Sequence, residues 1–293
     1  MWKIIFNLTL SKALSYHQSQ LPVLEKSDER IVEALEKTGL CITSLSDLCL
    51  PKTTEFFKAA QHLTLDLKDI ASFPGFDNHE VHASKNQLVD NPEIFYWGLN
   101  ERLLEIIEKY LCLPVAYDGA SCFVSVPNSK EIGARAWHRD REDRRMVKVC
   151  VYLSDVDEES GPFQCLKPDF NTKVCNAIKY RYKSVFDREM EKLSATPDTQ
   201  EWVSCTGKAG TVIFVDTARF YHRGKPPTQK PRAAVFFSYF SRRPWHPFFC
   251  QRTPLTPKET RLFAHRLSED QRACVNWQDH LPKTVKWIPK SRI

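Results

Sequence analysis

From Trp137 to Leu153 the chain reads WHRDREDRRMVKVCVYL, and this stretch joins two candidate metal ligands to a strand. Its second half, from Met146 onward, is rich in β-branched and apolar residues, as buried strands are. In an extended chain, residues two apart point to the same face, so His138 and Asp140 would direct an imidazole and a carboxylate to a common point. The stretch therefore predicts two ligands of a metal site at the mouth of a β-barrel.

A third ligand is expected from the pattern G-x5-D-x5-H-R-G, which spans residues 210–224. Its histidine, His222, follows a predicted strand and is expected to open a tight turn. Two histidines and one carboxylate bind iron on one face and leave three positions open, as oxygen activation requires. A lone H-x-D is a weak signal, but together the two patterns indicate an iron site formed by His138, Asp140 and His222.

Arg232 lies ten residues beyond His222, at the start of the next predicted strand, with three prolines in the turn between them. A hairpin would fold the two residues toward each other. Iron-bound 2-oxoglutarate chelates the metal through its 1-carboxylate and keto oxygen, so its 5-carboxylate extends away and requires a planar, permanently charged partner. We therefore predict that Arg232 anchors 2-oxoglutarate.

Strand-like segments dominate the middle of the chain. They are rich in β-branched and aromatic residues and are separated by turns that contain glycine and proline. Four are predicted, at 122–126, 147–153, 211–215 and 233–240. Short strands separated in this way are typical of a sandwich, a barrel or a jelly roll.

Helices are predicted on both sides of these strands. Apolar residues recur at helical spacing over 27–40 and 99–111. A third helix has Thr256 as its N-cap and Glu259 to complete a capping box. The basic, aromatic stretch 176–194 interrupts the strands and is interpreted as a partly helical insertion that could act as a lid.

The composition is that of a globular protein. A chain of 293 residues can form one large domain with helical additions, and no apolar run is long enough to span a membrane. The net charge of +6 arises from mixed-sign sequence rather than a basic block, so no nucleic-acid partner is expected. The ten cysteines are scattered without disulfide spacing, which indicates reduced thiols and a cytoplasmic location.

Residues 137–163, the segment 210–224 and Arg232 together resemble the phytanoyl-CoA dioxygenase-like family of non-haem iron oxygenases. The resemblance implies a mainly β fold with flanking helices, whose core is a double-stranded β-helix, a cupin-like jelly roll. It implies Fe(II) and 2-oxoglutarate as cofactors, O2 as a reactant, and hydroxylation of a small organic molecule with release of succinate and carbon dioxide. In family terms, the metal and catalytic positions and the co-substrate arginine correspond to His138, Asp140, His222 and Arg232.

The resemblance also suggests how a single oxygenase domain over 1–293 is organised. We expect an N-terminal helical region at 1–114 and a double-stranded β-helix core at 115–243. The core contains the insertion 176–194, and a C-terminal helical extension follows at 244–293.

Two features bear on the details of this resemblance. Arg232 is not followed by a hydroxyl residue two positions on, so a second hydrogen bond to the 5-carboxylate must come from elsewhere. Lys148 is the preferred donor, with Tyr152 and Thr211 as alternatives. Asp140 is present where related halogenases carry a small residue, which favours hydroxylation or desaturation over halogenation.

Four arginines surround the H-x-D motif and follow it: Arg139, Arg141, Arg144 and Arg145. Glu142 and Asp143 partly offset their charge, so a solvated mixed-charge loop and an anion-recognition site are both compatible with the sequence. Cationic clefts concentrate anionic substrates. We therefore predict that Arg141 and Arg145 bind an anionic group of the substrate.

Three alternative functions remain open from the sequence. The same chemistry could act on nucleic acid or protein. A cupin-like binding protein could keep the fold without the activity. A family member could also bind the metal and use a different co-substrate.

Overall fold

The computed structural model of the protein describes residues 2–128, 130–179, 182–194, 200–250 and 252–281. These residues form nine strands in two antiparallel sheets: β1 (Leu40–Ser44), β2 (Glu80–His82), β3 (Val115–Ser125), β4 (Val147–Tyr152), β5 (Phe163–Leu166), β6 (Trp202–Cys205), β7 (Thr211–Asp216), β8 (His222–Gly224) and β9 (Arg232–Ser241). The four predicted strands correspond to β3, β4, β7 and β9, so their existence is confirmed.

The larger sheet has six strands in the order β1-β7-β4-β9-β3-β2. Its strand β4 pairs with both β7 and β9, and Val149 lies opposite Phe214 on one side and Phe237 on the other. Val149 packs into the core beneath the helices, whereas Cys150 and Tyr152 face the barrel interior. Both faces of β4 are buried, which explains why its sequence is apolar at almost every position.

The smaller sheet has three strands in the order β6-β5-β8 and faces the larger one. Phe163 and Cys205 of this sheet share a buried cluster with Ile213 and Ala234 of the larger sheet. The two sheets therefore enclose a common interior, as in a double-stranded β-helix. The tight turn predicted at His222 is wrong, because residues 222–224 are extended and pair with β5.

Eleven helices are formed by the described residues: α1 (Trp2–His17), α2 (Lys26–Thr38), α3 (Leu45–Leu48), α4 (Thr53–Ser72), α5 (Lys85–Asp90), α6 (Pro92–Trp97), α7 (Glu101–Leu111), α8 (Pro168–Ala177), α9 (Asp187–Leu193), α10 (Pro257–Ala264) and α11 (Glu269–Val275). The three predicted helices are confirmed as α2, α7 and α10. Gly39 ends α2 with a φ of 72°, a conformation that glycine adopts without strain. The predicted insertion contains α9 and the end of α8, while Tyr180 lies outside the described residues.

Helix α4 was not predicted from the sequence. Its buried stripe consists of Phe56, Ala60, Leu63 and Leu67, at the spacing of one helical face. Apolar residues such as Leu65 also lie on the exposed face of this helix, so the amphipathic pattern in its sequence is weak.

Helices from both ends of the chain pack onto the outer face of the larger sheet. One contiguous buried cluster runs from Ile31 in α2 to Val275 in α11 and includes the outward-facing residues of β4 and β9. Because the helices cover the outer face of the sheet, a functional site is expected in the barrel interior or at its mouth. Among the described residues, no helix is both long and apolar enough to cross a membrane.

Candidate active site

His138, Asp140 and His222 come together at one end of the barrel. Their ligand atoms all lie within 4.8 Å of one another. The backbones of His138 and His222 pair in an isolated antiparallel bridge, with both N–H···O distances at 3.0 Å. Asp140 is fixed through its own N–H, which donates to the carbonyl of Thr217 at 2.9 Å. The extended backbone thus places the imidazole and the carboxylate on one side, as the H-x-D spacing predicted.

Both histidines are oriented by backbone carbonyls. Nδ1 of His138 donates to the carbonyl of Ala136 at 2.8 Å, and Nδ1 of His222 donates to that of Phe220 at 3.1 Å. Each Nε2 is therefore left with its lone pair, the form that binds a metal. Burial lowers the pKa of both imidazoles, that of His222 well below its ordinary value, which keeps them neutral.

The carboxylate of Asp140 is buried, with 1% of its side chain exposed. Oδ1 accepts a hydrogen bond from Nη2 of Arg252 at 2.8 Å. Oδ2 pairs with the ammonium of Lys148, whose Nζ lies 2.7 Å away, and lies 3.9 Å from Nε2 of His222. Burial opposes ionisation, yet the charges of Arg252 and Lys148 outweigh it and hold the pKa of Asp140 well below its usual range.

This donor set fits a divalent transition metal. Two neutral imidazole nitrogens and one ionised carboxylate oxygen converge on the same point. Two nitrogens and one carboxylate are the donors of the facial triad that holds non-haem Fe(II). The residues present therefore fit the iron that the sequence patterns predicted.

Arg232 lies inside the barrel at the start of β9, with 2% of its surface exposed. Its Nη1 donates to the carbonyl of Gly161, and its guanidinium packs against Gly224. Since Gly224 is two residues from His222 on β8, roughly 7 Å of strand separate the histidine from the arginine's contact. The predicted hairpin is wrong in its geometry, because β8 and β9 belong to different sheets and meet across the barrel.

A family comparison covers both the metal ligands and this arginine. The sequence model of phytanoyl-CoA dioxygenase (PhyH) matches residues 41–234, more than half of the chain. The chain belongs to the phytanoyl-CoA dioxygenase family. It is therefore a non-haem iron- and 2-oxoglutarate-dependent enzyme, and the core that carries its candidate site is the part that matches.

Solved structures support the fold of this phytanoyl-CoA dioxygenase family member. HygX from Streptomyces hygroscopicus, with nickel and 2-oxoglutarate bound, is 14% identical, with a TM-score of 0.50 over 75% of this chain and 88% of that chain. EctD from S. alaskensis, with 2-oxoglutarate and 5-hydroxyectoine, is 18% identical, with a TM-score of 0.52 over 80% and 88%. At these identities the likeness shows a shared fold, the cupin-like jelly roll. No curated protein matches the sequence.

The structure of this family member does not bring Lys148 to Arg232. Lys148 lies opposite Ser238 on β9, six positions from Arg232, which corresponds to roughly 20 Å along the strand. Its Nζ instead lies beside Asp140. This placement contradicts the prediction that Lys148 supplies the second hydrogen bond to the 5-carboxylate.

The two alternative donors differ in their availability. The hydroxyl of Tyr152 donates to the carbonyl of Cys205 at 2.7 Å and accepts from the N–H of Phe163 at 2.9 Å, so its hydrogen bonds are made to the backbone of the smaller sheet. Thr211 begins β7 at the same end of the larger sheet as Arg232, since Val212, Val151 and Val235 form one row across the sheet. Thr211 lies one strand further from β9 than Tyr152, but the hydroxyl of Tyr152 is already paired, so Thr211 is the more available donor.

Only one of the two arginines predicted to bind substrate lies near the triad. Arg141 directly follows Asp140, and its guanidinium lies 6.0 Å from the ring centre of Tyr182 and 5.8 Å from that of Phe249. Tyr182 comes from the insertion and Phe249 from the C-terminal extension. Within the described part of the chain, the Arg141 guanidinium forms no salt bridge.

Arg145 is a structural residue instead. Its Nη2 lies 3.0 Å from Oε2 of Glu36, and its Nη1 donates to the carbonyl of Tyr110 at 2.6 Å. Bends in the backbone at 142, 144 and 145 turn this side chain toward α2 and α7. The prediction that Arg145 binds substrate is therefore wrong, because it assumed an extended segment.

Arg252 was not predicted from the sequence, and it contacts Asp140, a predicted metal ligand, from outside the matched region. The sequence also indicates a charged loop for Glu142 and Asp143, whereas both are buried. Asp143 accepts hydrogen bonds from the N–H and hydroxyl of Ser241, and burial raises its pKa to about 6. No local pattern around Arg252 could have revealed its contact with Asp140, 112 positions away.

Proposed function

We propose that this enzyme hydroxylates a small organic anion, with Fe(II) held by His138, Asp140 and His222 and 2-oxoglutarate anchored by Arg232. The observation that carries the proposal is the convergence of the three ligand side chains, whose ligand atoms lie within 4.8 Å of one another. Bound iron and 2-oxoglutarate would supply oxygen activation, with succinate and carbon dioxide as co-products.

The triad residues contribute prepared ligands. The carbonyls that hold each Nδ1 fix the tautomer of His138 and His222, so neither ring has to lose a proton or rotate to bind the metal. The low pKa of Asp140 keeps the third ligand ionised. This preorganisation favours metal binding because little side-chain freedom is lost on association.

Arg232 contributes a buried, permanent positive charge to the interior. A guanidinium presents paired N–H donors that match a carboxylate in two hydrogen bonds. The Arg232 guanidinium lies against Gly224, two residues along β8 from His222, which would let 2-oxoglutarate bound at the triad reach it. The barrel interior contains a buried apolar cluster that includes Phe163 and Ala234, with Phe236 packed against it, and apolar surroundings strengthen charge interactions by excluding water.

Substrate binding is assigned to the mouth, where Arg141 lies between Tyr182 and Phe249. An arginine held over aromatic rings retains its charge and offers donors to a carboxylate or phosphate. The aromatic surfaces would pack against the carbon skeleton of the substrate. These features support a small molecule that carries an anionic group.

The test compares wild type with Arg141→Glu and with Arg30→Glu, an exposed arginine on α2 that serves as control. A panel of anionic and matched neutral metabolites is screened for stimulated succinate release and for a hydroxylated product. We expect anionic compounds alone to stimulate turnover, with Arg141→Glu losing this stimulation while its substrate-free 2-oxoglutarate turnover is kept. Stimulation by neutral compounds, by nucleic acid or by protein would contradict the proposed substrate class, as would equal turnover in all three proteins.

A further inference from the structure

The metal-binding carboxylate is held by a residue from the C-terminal extension. Nη2 of Arg252 donates to Oδ1 of Asp140 at 2.8 Å, and Nε of the same guanidinium donates to Glu142. The side chain of Arg252 is 19% exposed, while those of Asp140 and Glu142 are 1% and 0% exposed. One guanidinium therefore bridges two buried carboxylates beside the proposed metal.

The backbone around Arg252 is held by further hydrogen bonds. The N–H of Arg252 donates to Oδ2 of Asp118 on β3 at 2.7 Å. The segment before it is tied to the loop that carries the H-x-D motif, since the N–H of His246 donates to the carbonyl of Glu142 at 2.8 Å. Nδ1 of His246 also lies 2.6 Å from the carbonyl of Arg141. The extension and the ligand loop thus form one connected unit.

The contact distinguishes the two oxygens of Asp140. Oδ1 accepts from Arg252, whereas Oδ2 faces Nε2 of His222 at 3.9 Å and lies 2.7 Å from Nζ of Lys148. A carboxylate free to rotate could offer both oxygens to a metal and would then occupy one of the positions that a facial triad leaves open. Hydrogen bonds to the far side of a metal ligand are the usual means of fixing its orientation.

The charges around Asp140 also require Arg252. Glu142 lies fully buried two residues from the ligand, and its nearest cationic partner is the Arg252 guanidinium. Without Arg252, two buried carboxylates would remain in the same loop, and the ammonium of Lys148, which lies 2.7 Å from Oδ2 of Asp140, would have to offset both charges. A buried charge left without its partner is costly, so the loop would have to rearrange.

We propose that Arg252 is a positioning residue for the metal centre: it holds Asp140 so that Oδ2 alone is presented to the metal. This inference rests on the proposed function, since it assumes that Asp140 is a metal ligand. It makes Arg252 and residues 244–250, which lie beyond the family match at 41–234, a part of the metal site. The extension is then required for iron binding as well as for packing.

The experiment measures the affinity of the metal-free protein for Fe(II) without oxygen, in wild type and in Arg252→Ala, Arg252→Lys and Arg242→Ala. Arg242 is a matched control just before the extension, because its side chain donates to the carbonyl of Val115 and contacts Cys274 of α11, so it helps to pack the extension against the core. We expect Arg252→Ala to bind Fe(II) 10- to 100-fold more weakly, as loss of an outer-shell partner typically does. Arg242→Ala should bind within about threefold of wild type.

Arg252→Lys tests geometry against charge. An ammonium can pair with Asp140 but cannot bridge both carboxylates as a planar guanidinium does. We therefore expect an affinity between those of wild type and Arg252→Ala. The charge-transfer band that 2-oxoglutarate produces with Fe(II) should also shift in wavelength in Arg252→Lys, whereas in Arg242→Ala it should match wild type. Thermal unfolding without metal shows whether each variant is folded. If Arg252→Ala is not folded, the comparison is made with Arg252→Lys alone.

The outcomes separate the two proposals. If wild type binds no Fe(II), the proposed function itself is wrong. If wild type binds Fe(II) and the folded Arg252 variants bind it equally well with an unshifted band, the positioning role is wrong. An equal loss of affinity in Arg242→Ala would also overturn it, because it would show that the extension acts only through packing.

Discussion

Replacing Gly224 with alanine should weaken 2-oxoglutarate binding while leaving the metal site intact. A Cβ at this position would lie 3.3 Å from Cζ of Arg232 and closer still to its Nη2. The φ of Gly224 lies outside the positive range, so alanine brings no backbone strain. Because the obstructing atoms are the far end of a flexible side chain, the fold should tolerate the change, but the guanidinium must move.

The size of the effect follows from that displacement. Restoring van der Waals contact requires the guanidinium to shift by roughly 1 Å, enough to misalign a hydrogen bond to the 5-carboxylate. A hydrogen bond to a charged group contributes about 1.5 to 3 kcal/mol, which corresponds to a loss of about ten- to over a hundredfold in affinity. Arg232→Ala, which removes the whole group, sets the upper limit.

The assay is an anaerobic titration of Fe(II)-loaded protein with 2-oxoglutarate, followed through the charge-transfer band. Wild type, Gly224→Ala, Arg232→Ala and the double variant form a double-mutant cycle. If Gly224 acts only through Arg232, the double variant should bind 2-oxoglutarate no more weakly than Arg232→Ala. Wild-type affinity in Gly224→Ala would refute the reasoning, as would additive losses in the double variant.

Two further predictions concern stability. Arg102→Ala should lower the free energy of unfolding by about 3 kcal/mol in urea denaturation. Asp28 is 2% exposed and accepts hydrogen bonds from Nε and Nη2 of Arg102 at 2.7 and 2.9 Å, so the substitution would leave a buried carboxylate unpaired. A loss below about 1 kcal/mol would contradict this prediction. Asp143 has a folded-state pKa of about 6, which is above its value in the unfolded chain. The folded state therefore binds the proton more tightly, and the contribution of Asp143 to stability decreases as pH rises from about 4 to above 6. Relative to wild type, Asp143→Asn should therefore gain about 3 kcal/mol between pH 4 and pH 7, and parallel pH profiles for the two proteins would show that Asp143 does not titrate in this way.

The features that could be predicted from the sequence are those fixed by local backbone geometry. The H-x-D spacing in an extended segment dictates that His138 and Asp140 share a face, and the structure keeps that geometry through the bridge between His138 and His222. Alternation along β4 and β9 likewise separates outward from inward residues. Helix caps such as Thr256 and Gly39 are local too, which explains why α2 and α10 were found.

The remaining features depend on contacts between distant parts of the chain. Arg145 could not be distinguished from Arg141 because bends at 142 and 144 set the direction of each side chain. The position of Lys148 on its strand determines which face of the sheet the side chain is on, but it does not determine which residue the ammonium pairs with. In the structure that residue is Asp140. Arg252 has no local signature, since its role depends on a loop more than a hundred positions earlier.

If His138, Asp140 and His222 bind iron, 2-oxoglutarate should join the metal at the same site. The most direct test is anaerobic titration of the metal-free protein with Fe(II), followed by 2-oxoglutarate, in wild type and in three variants in which each ligand is replaced by alanine. We expect one Fe(II) per chain and a visible charge-transfer band in wild type, and no band in His138→Ala, Asp140→Ala or His222→Ala. No Fe(II) binding by wild type, or a band retained in all three folded variants, would contradict the assignment.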